Sequence, residues 1–365
     1  MPEEIKRFDE RDTVFAREDL HHGMVEYDEY YRLHAELKEK DDYFRSLPGM
    51  GSGFPEIDGG LFFAPSQVMY KLGFPDVVDG KPIGKQHKLS PERATLKVST
   101  FAKRLGADLV GMSKLNQAFV YSHRGRKKYT EDPYGQPITL NHKYAISLGF
   151  KMNLDLVRTG PRHGSVAETG LVYLLSSMVA VTLADYIRRM GYSARAHHFR
   201  NYQVLSVPLA VDGGLGELGR CGFLINKKYG NCLRLATVTT DLPLECDSPV
   251  DIGVDDFCEM CKICSEVCPS GAIPMGDKVV SNGVKKWQLD AVKCVTYWNK
   301  VGTDCGMCIG SCPWSEPDVW YHRLSADMAG KSHFARLLLL WLYPVVYGKY
   351  KPKPLPEWLD RKNAG

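Results

Sequence analysis

Two cysteine runs, CEMCKICSEVCPSGAIP (258–274) and CVTYWNKVGTDCGMCIGSCPWSEP (294–317), decide how the rest of the chain is read. The first is Cys258-x2-Cys261-x2-Cys264-x3-Cys268-Pro269, the second Cys294-x10-Cys305-x2-Cys308-x3-Cys312-Pro313. Two-residue gaps make a tight loop that aims successive thiolates at one cubane. The three-residue gap sends the fourth thiolate across to another, and the proline ends ligation. Eight thiolates are what two [4Fe–4S] cubanes need. The crossed rule gives Cys258, Cys261, Cys264 and Cys312 to one cluster, and Cys268, Cys294, Cys305 and Cys308 to the other. Cys294 departs most from the usual spacing, because VTYWNKVGTD separates it from Cys305.

The first run has the spacing of bacterial ferredoxins. The competing readings are a zinc ribbon or disulfides. Zinc normally takes Cys or Cys/His pairs without a third Cys two residues on. A disulfide framework does not crowd eight of 11 cysteines into one part of a large chain. Cys221, Cys232 and Cys246 stand alone and read as buried free thiols.

The remaining chain is too large for an electron relay alone. It has 365 residues, 44% apolar and 25% charged, the composition of a soluble globular protein. A net charge of +4 gives no global basic footprint, so no nucleic-acid partner is expected. The longest uncharged stretch, Thr169 to Ala184, has 16 residues and is short of a membrane span. MPEEIKRFDERDTVFAR (1–17) has no apolar export region, so the chain as given reads as cytoplasmic, with an exported mature form at the outer membrane face as the alternative.

Four regions follow. Residues 1–89 read as a wrapping segment, with one helix over 26–47 and a Pro/Gly-rich loop from Pro48 to Lys85. Residues 90–250 alternate helix and strand: a helix over 91–107 ending at Gly106, strands at 107–112 and 144–152, a buried helix over 168–189, and strand-like runs through 193–211. The fold class is α/β (α+β). Residues 251–320 hold the cysteine module, and 321–365 form a tail packing on the core. Within it, Leu337 to Gly348 is uncharged and interrupted by Pro344, so a peripheral membrane or membrane-anchor contact is a second use for it. Gly214-x-Gly216-x-x-Gly219 matches the letters of a dinucleotide loop. No acidic residue follows about 20 positions on in a strand context, so it reads as a backbone turn.

The two cysteine runs, GLGELGR (214–220), the opening RFDERDTVFAR and the tail YGKYKPKPLPEWL together resemble the cobalamin-dependent reductive dehalogenases. The resemblance implies a nitroreductase-like core holding a corrinoid in base-off form. It also implies a ferredoxin-like module passing electrons to cobalt, and reductive loss of halide from a small organohalide. Asp19-Leu20-His21-His22-Gly23 is one residue short of the Asp-x-His-x-x-Gly pattern for a histidine-ligated cobalamin, which agrees with base-off binding. By the same resemblance Tyr173 is the proton donor, Arg234 its basic partner and Asn201 an accompanying polar residue. Corrinoid contacts fall at Tyr202, Gln203, Gly214, Gly216 and Gly219, within 202–219 and 234–242. A phenol delivers its proton only where a cation stabilises the phenolate, which is work for an arginine.

The runner-up is an epoxyqueuosine reductase acting on transfer RNA, and the third reading a non-catalytic electron-transfer corrinoid protein. The low-potential electron donor, the organohalide and the oligomeric state are left open by the sequence.

Overall fold

Strict alternation along the core strands gives their sheet two unlike faces. The computed structural model describes residues 5–54, 58–126 and 133–360. Its strands are β1 (Leu109–Lys114), β2 (Tyr144–Lys151), β3 (Ala194–His197), β4 (Glu217–Leu218), β5 (Leu224–Ile225), β6 (Leu233–Thr240), β7 (Val279–Ser281) and β8 (Val284–Lys286). Four of them form one antiparallel sheet in the order β1-β2-β6-β3, with Phe150 opposite Arg234 and His197 opposite Thr237. The antiparallel pairing puts the core on the α+β side of the expected class.

Successive side chains point to opposite faces. Ile146, Leu148 and Phe150 of β2, Ala236 and Val238 of β6, and Ala194 and Ala196 of β3 therefore make one apolar face. The helix His163–Arg189 lies on it and buries Val179, Ala180, Leu183, Ala184 and Ile187. Each large apolar side chain so buried contributes about 1.5–3 kcal/mol. The other face is more polar, with Ser147, Arg195, His197, Thr237 and Thr239 all buried. Helix Ser206–Asp212 packs on the sheet beside β1, β2 and β6.

Several expectations need correction. The predicted single helix over 26–47 breaks at His34 into Val25–Leu33 and Ala35–Ser46. The break lets Tyr31 donate to Asp41 (2.8 Å), which also takes Arg17 (3.0 Å) in a buried ion pair. The predicted loop over 48–85 contains a helix, Gly59–Leu72, despite Pro65. It packs against the long helix, where a Cβ on Gly170 would stand only 3.7 Å from the Phe62 ring, so burial outweighs the proline. The long helix starts at His163, earlier than Glu168. The strand-like run over 193–211 is a strand only at β3. Its second half is the helix Ser206–Asp212, whose Pro208 lies in the first turn, where no intrahelical donor is needed.

The N-terminal segment reaches the cysteine module. Phe44 and Val14 pack with Val295 and Trp298 of helix Ala291–Val301, and Asn299 donates to Glu18 (2.9 Å). The tail is only half packed. In helix His333–Tyr347, Ala335 and Arg336 are buried, while Phe334, Leu337, Trp341 and Val345 share an exposed stripe at helical spacing. The packed side meets helix Val254–Cys261 of the cysteine module, with Leu339 and Leu340 against the cluster of Phe257 and Trp314.

Just after β3, His198 is buried, with Nε2 3.1 Å from the Leu72 carbonyl. Burial pushes its pKa down to about 4 from 6.5; the Leu72 carbonyl opposes the shift, and Arg195 and Arg200 add to it. Burial lowers His142 and His197 too. Below pH 6.5 the unfolded chain takes up protons that the fold refuses, so stability is full above 6.5 and is lost as pH falls toward about 4. Thermal melts between about pH 7 and pH 4.5 are expected to show this loss, with a shallower slope for His198→Asn. An equally steep slope in that variant removes His198 as a contributor.

Candidate functional site

Two matching turns place the cysteines. Helix Val254–Cys261 ends at Lys262, whose φ of 54° is left-handed, and Gly306 after Cys305 has a φ of 62°. Each turn leads into a short helix, Ile263–Glu266 or Met307–Gly310, that carries the third cysteine of its run, Cys264 or Cys308. A left-handed side-chain-bearing residue costs about 1–2 kcal/mol, so Lys262 is held there by the loop around it.

The eight thiols divide between two cavities in the crossed pattern. Cys258, Cys261, Cys264 and Cys312 line a narrow one. Cys268, Cys294, Cys305 and Cys308 line part of a large one. All 11 cysteines are free thiols. Among the described residues, no three Cys, His, Asp or Glu side chains converge on a single ion. A tetrathiolate zinc, with Zn–S of about 2.3 Å, needs such convergence. A cluster that gives each thiolate its own iron does not. Burial pushes Cys258, Cys294 and Cys305 up to about 12 and Cys261 up to about 11. Thiolates in such a place need a cationic partner. Cys268 differs: burial raises it, but hydrogen bonds from Ser270 and from main-chain N–H groups hold it below the ordinary thiol range. The donor set fits two iron–sulfur clusters.

The large cavity has a volume of ≈ 1340 Å³. Arg234 of β6 falls on the same sheet face as Ala236 and Val238, so it points toward the long helix and meets Thr169 and Tyr173 there. Its Nη2 donates to Thr169 Oγ1 (2.8 Å), which donates to Asp304 Oδ2 (2.7 Å), and Arg234 itself stands 3.7 Å from that carboxylate. The guanidinium lies 5.0 Å from the Tyr173 ring centroid, and Phe199 stacks on Tyr173 at 4.5 Å. Tyr173, Arg234, Thr169 and Asp304 share the cavity wall with the second cysteine set.

Not every expected site residue arrives there. Tyr202 lines the cavity, and burial raises its phenol, with Arg126 opposing. Asn201 lies behind the wall: its Oδ1 accepts from Arg124 and Arg195, and its Nδ2 donates to the Gly73 carbonyl. Gln203 is not among the lining residues; its main-chain N–H donates to His197 Nδ1. Nor are Gly214, Gly216 and Gly219, which instead let the chain pass close to itself. A Cβ on Gly216 would fall 2.1 Å from the Ile225 carbonyl oxygen, and one on Gly214 2.7 Å from that of Ser248. Segments 204–208 and 233–235 do line the cavity. The expected buried state holds for Cys221 and Cys232 but not for Cys246, which is half-buried.

Sequence reading missed Thr169, Asp304 and Cys221. Asp304 had a signal, being next to Cys305. Cys221 lines both cavities and accepts a hydrogen bond from Asn231 Nδ2 (3.3 Å), whose Oδ1 accepts from Ser315 (2.6 Å). It stands between the two cysteine sets.

Comparison with known proteins agrees with this geometry. The model of a 4Fe-4S dicluster domain matches residues 257–315. The tetrachloroethene reductive dehalogenase of Sulfurospirillum multivorans is 34% identical over 265 residues, covering 64% of this chain and 52% of that protein. The catabolic reductive dehalogenase NpRdhA in complex with 3-bromo-4-hydroxybenzoic acid superposes with a TM-score of 0.76 at 28% identity, covering 94% of this chain and 49% of that one. A reductive dehalogenase structure described as suggesting a mechanism for B12-dependent dehalogenation gives a TM-score of 0.74 at 28% identity, with the same coverage. The chain spans about half the length of the curated relatives it matches. The likeness to the reductive dehalogenases runs over nearly the whole chain, through the cysteine module, the sheet and the long helix alike.

Proposed function

We propose that the chain removes halide from a small organohalide by reduction, R–X + 2 e⁻ + H⁺ → R–H + X⁻. The electrons would come from a low-potential donor by way of two [4Fe–4S] clusters held by the eight cysteines, and the large cavity would hold the corrinoid, in base-off form, as the electron source for the substrate. One observation carries this reading: a single space of ≈ 1340 Å³ has Tyr173 and Arg234 in its wall together with Cys268, Cys294, Cys305 and Cys308. Ordinary small-molecule pockets measure about 300–1,000 Å³, so this one has room for a large planar cofactor and a small substrate. The sheet and long helix form the nitroreductase-like core of the proposal. Relatives named for tetrachloroethene, bound to a bromohydroxybenzoate or described as B12-dependent support the substrate and cofactor classes.

A corrinoid bound there would supply the electrons that break the carbon–halogen bond. The residues of the chain do the rest. Segments 204–208 and 233–235, with Tyr202, form the corrinoid's protein surround. Tyr173 delivers the proton to the substrate carbon from its hydroxyl. Arg234, 5.0 Å from that ring, stabilises the phenolate left behind, and Thr169 and Asp304 fix the guanidinium in place. Phe199 holds the phenol ring by stacking. His197 and His198 have ring nitrogens committed to Thr239, to the Gln203 N–H and to the Leu72 carbonyl, so neither is offered to cobalt. His21 lines the cavity and is the histidine to watch.

Anaerobic reconstitution is expected to yield about eight irons per chain. Cys312→Ala should disturb the cluster of Cys258, Cys261 and Cys264 while sparing the other; damage confined to the other cluster overturns the crossed assignment. Tyr173→Phe should load both cofactors as the parent does, while halide release falls by about 10²–10⁴-fold. A fully loaded variant with parental turnover, chemistry being rate-limiting, takes Tyr173 out of the reaction. The cob(II)alamin form should lack the nitrogen splitting of a coordinated base; finding it, and losing it in His21→Ala, would replace base-off binding with ligation by His21. Halide release also separates this reading from an epoxyqueuosine reductase and from an electron carrier.

A further inference from the structure

The glycine-rich segment 214–220 ends in Arg220, one of the largest fully buried side chains of the protein. Its Nε donates to the Cys258 carbonyl (2.9 Å), Nη1 to those of Pro274 and Gly276 (both 2.9 Å), and Nη2 to that of Glu259 (3.3 Å). Four of the five guanidinium N–H groups are so used. Its main-chain N–H reaches the Cys258 sulfur, and its side chain lines the narrow cavity of the first cysteine set and not the large one.

None of these acceptors carries a negative charge. Carbonyl dipoles solvate a guanidinium but leave its net charge in place, and among the described residues no carboxylate pairs with it. Trp287 stacks on it at 4.5 Å, and Lys278, on the same ring at 4.5 Å, is already answered by Asp255 (2.5 Å). A buried cation without an anion is costly. The groups facing it across the cavity are four cysteines, and as cluster-bound thiolates they form the anion that is missing.

We infer that Arg220 is the positioning residue that sets the reduction potential of the cluster held by Cys258, Cys261, Cys264 and Cys312, an inference that rests on the two-cluster reading above. One-electron reduction by the external donor adds a negative charge to an already anionic unit, and a fixed buried cation stabilises the reduced form more than the oxidised one. This cluster is the one remote from Tyr173, so Arg220 makes the entry point of the electron path easier to reduce. The same hydrogen bonds tie the end of helix Val254–Cys261 to the loop at 274–276, so charge and scaffold reside in one side chain.

Potentiometric titration followed by electron paramagnetic resonance separates the two roles, on reconstituted protein with both clusters. Arg220→Gln is expected to shift one cluster's midpoint to more negative potential and leave the other unmoved. Arg220→Lys, which keeps the charge, should stay near the parent. Equal shifts in Gln and Lys, or none in Gln at full iron content, overturn the inference. Loss of that cluster from both variants does so as well, making Arg220 a scaffold only. Parent protein that reconstitutes with fewer than about eight irons contradicts the two-cluster reading itself and is recognised before any variant is titrated.

Discussion

The crossing of each fourth cysteine is the constraint on which the remainder depends. Each cavity takes three thiols from one run and one from the other, so neither closes until Cys258 and Cys312 are brought side by side. That requirement reaches outward. Arg158, from the segment after β2, donates to the Gly310 carbonyl (2.9 Å) and pairs with Glu316 (2.6 Å), gripping the second run from both sides of Cys312. The backbone at Gly160 passes so close to the Cys305 carbonyl that a Cβ would fall 1.8 Å from its oxygen. The N-terminal segment closes the far side through Phe44 and Asn299.

The same constraint links the cysteine module to the chemistry of the large cavity. Asp304 immediately precedes Cys305, and it holds Thr169 and, through it, Arg234. Moving the Cys305 loop therefore moves the cation beside Tyr173. A buried network of this kind has few alternative arrangements, since each member left without its partner bears a desolvation cost of about 1–3 kcal/mol or more. The cysteine module and the wall that carries Tyr173 and Arg234 are set by one loop.

What was legible in the sequence follows from what is local. Ligand spacing is a local property: the gaps before Cys264 and Cys308 each hold a left-handed turn, at Lys262 and Gly306, and the assignment of eight cysteines to two sets could be written before any fold was known. The short strand-like runs at 144–152 and 107–112 match β2 with near-correct ends and β1 two residues early. Tertiary choices were not legible. Pro65 and the surrounding glycines say loop, yet burial against the long helix makes a helix of Gly59–Leu72. Asn201 was expected beside Tyr173, but its partners are Arg124, Arg195 and the Gly73 carbonyl behind the cavity wall.

The glycine-rich segment shows how a motif can be noticed for the wrong chemistry. Glycines near a large planar ligand imply close approach of backbone to that ligand. Here the close approach is of backbone to backbone, at Ile225 and Ser248, and its product is the placement of Arg220 at the first cysteine set. A buried cation answered by carbonyls and one indole face, with no carboxylate partner among the described residues, makes little sense as a stabiliser of the fold alone, because a neutral side chain of similar shape would avoid the cost of burying its charge. It makes sense opposite an anion that arrives with iron and sulfide. On that argument the final residue of the motif belongs to the electron path, and the glycines before it are the means of bringing it there.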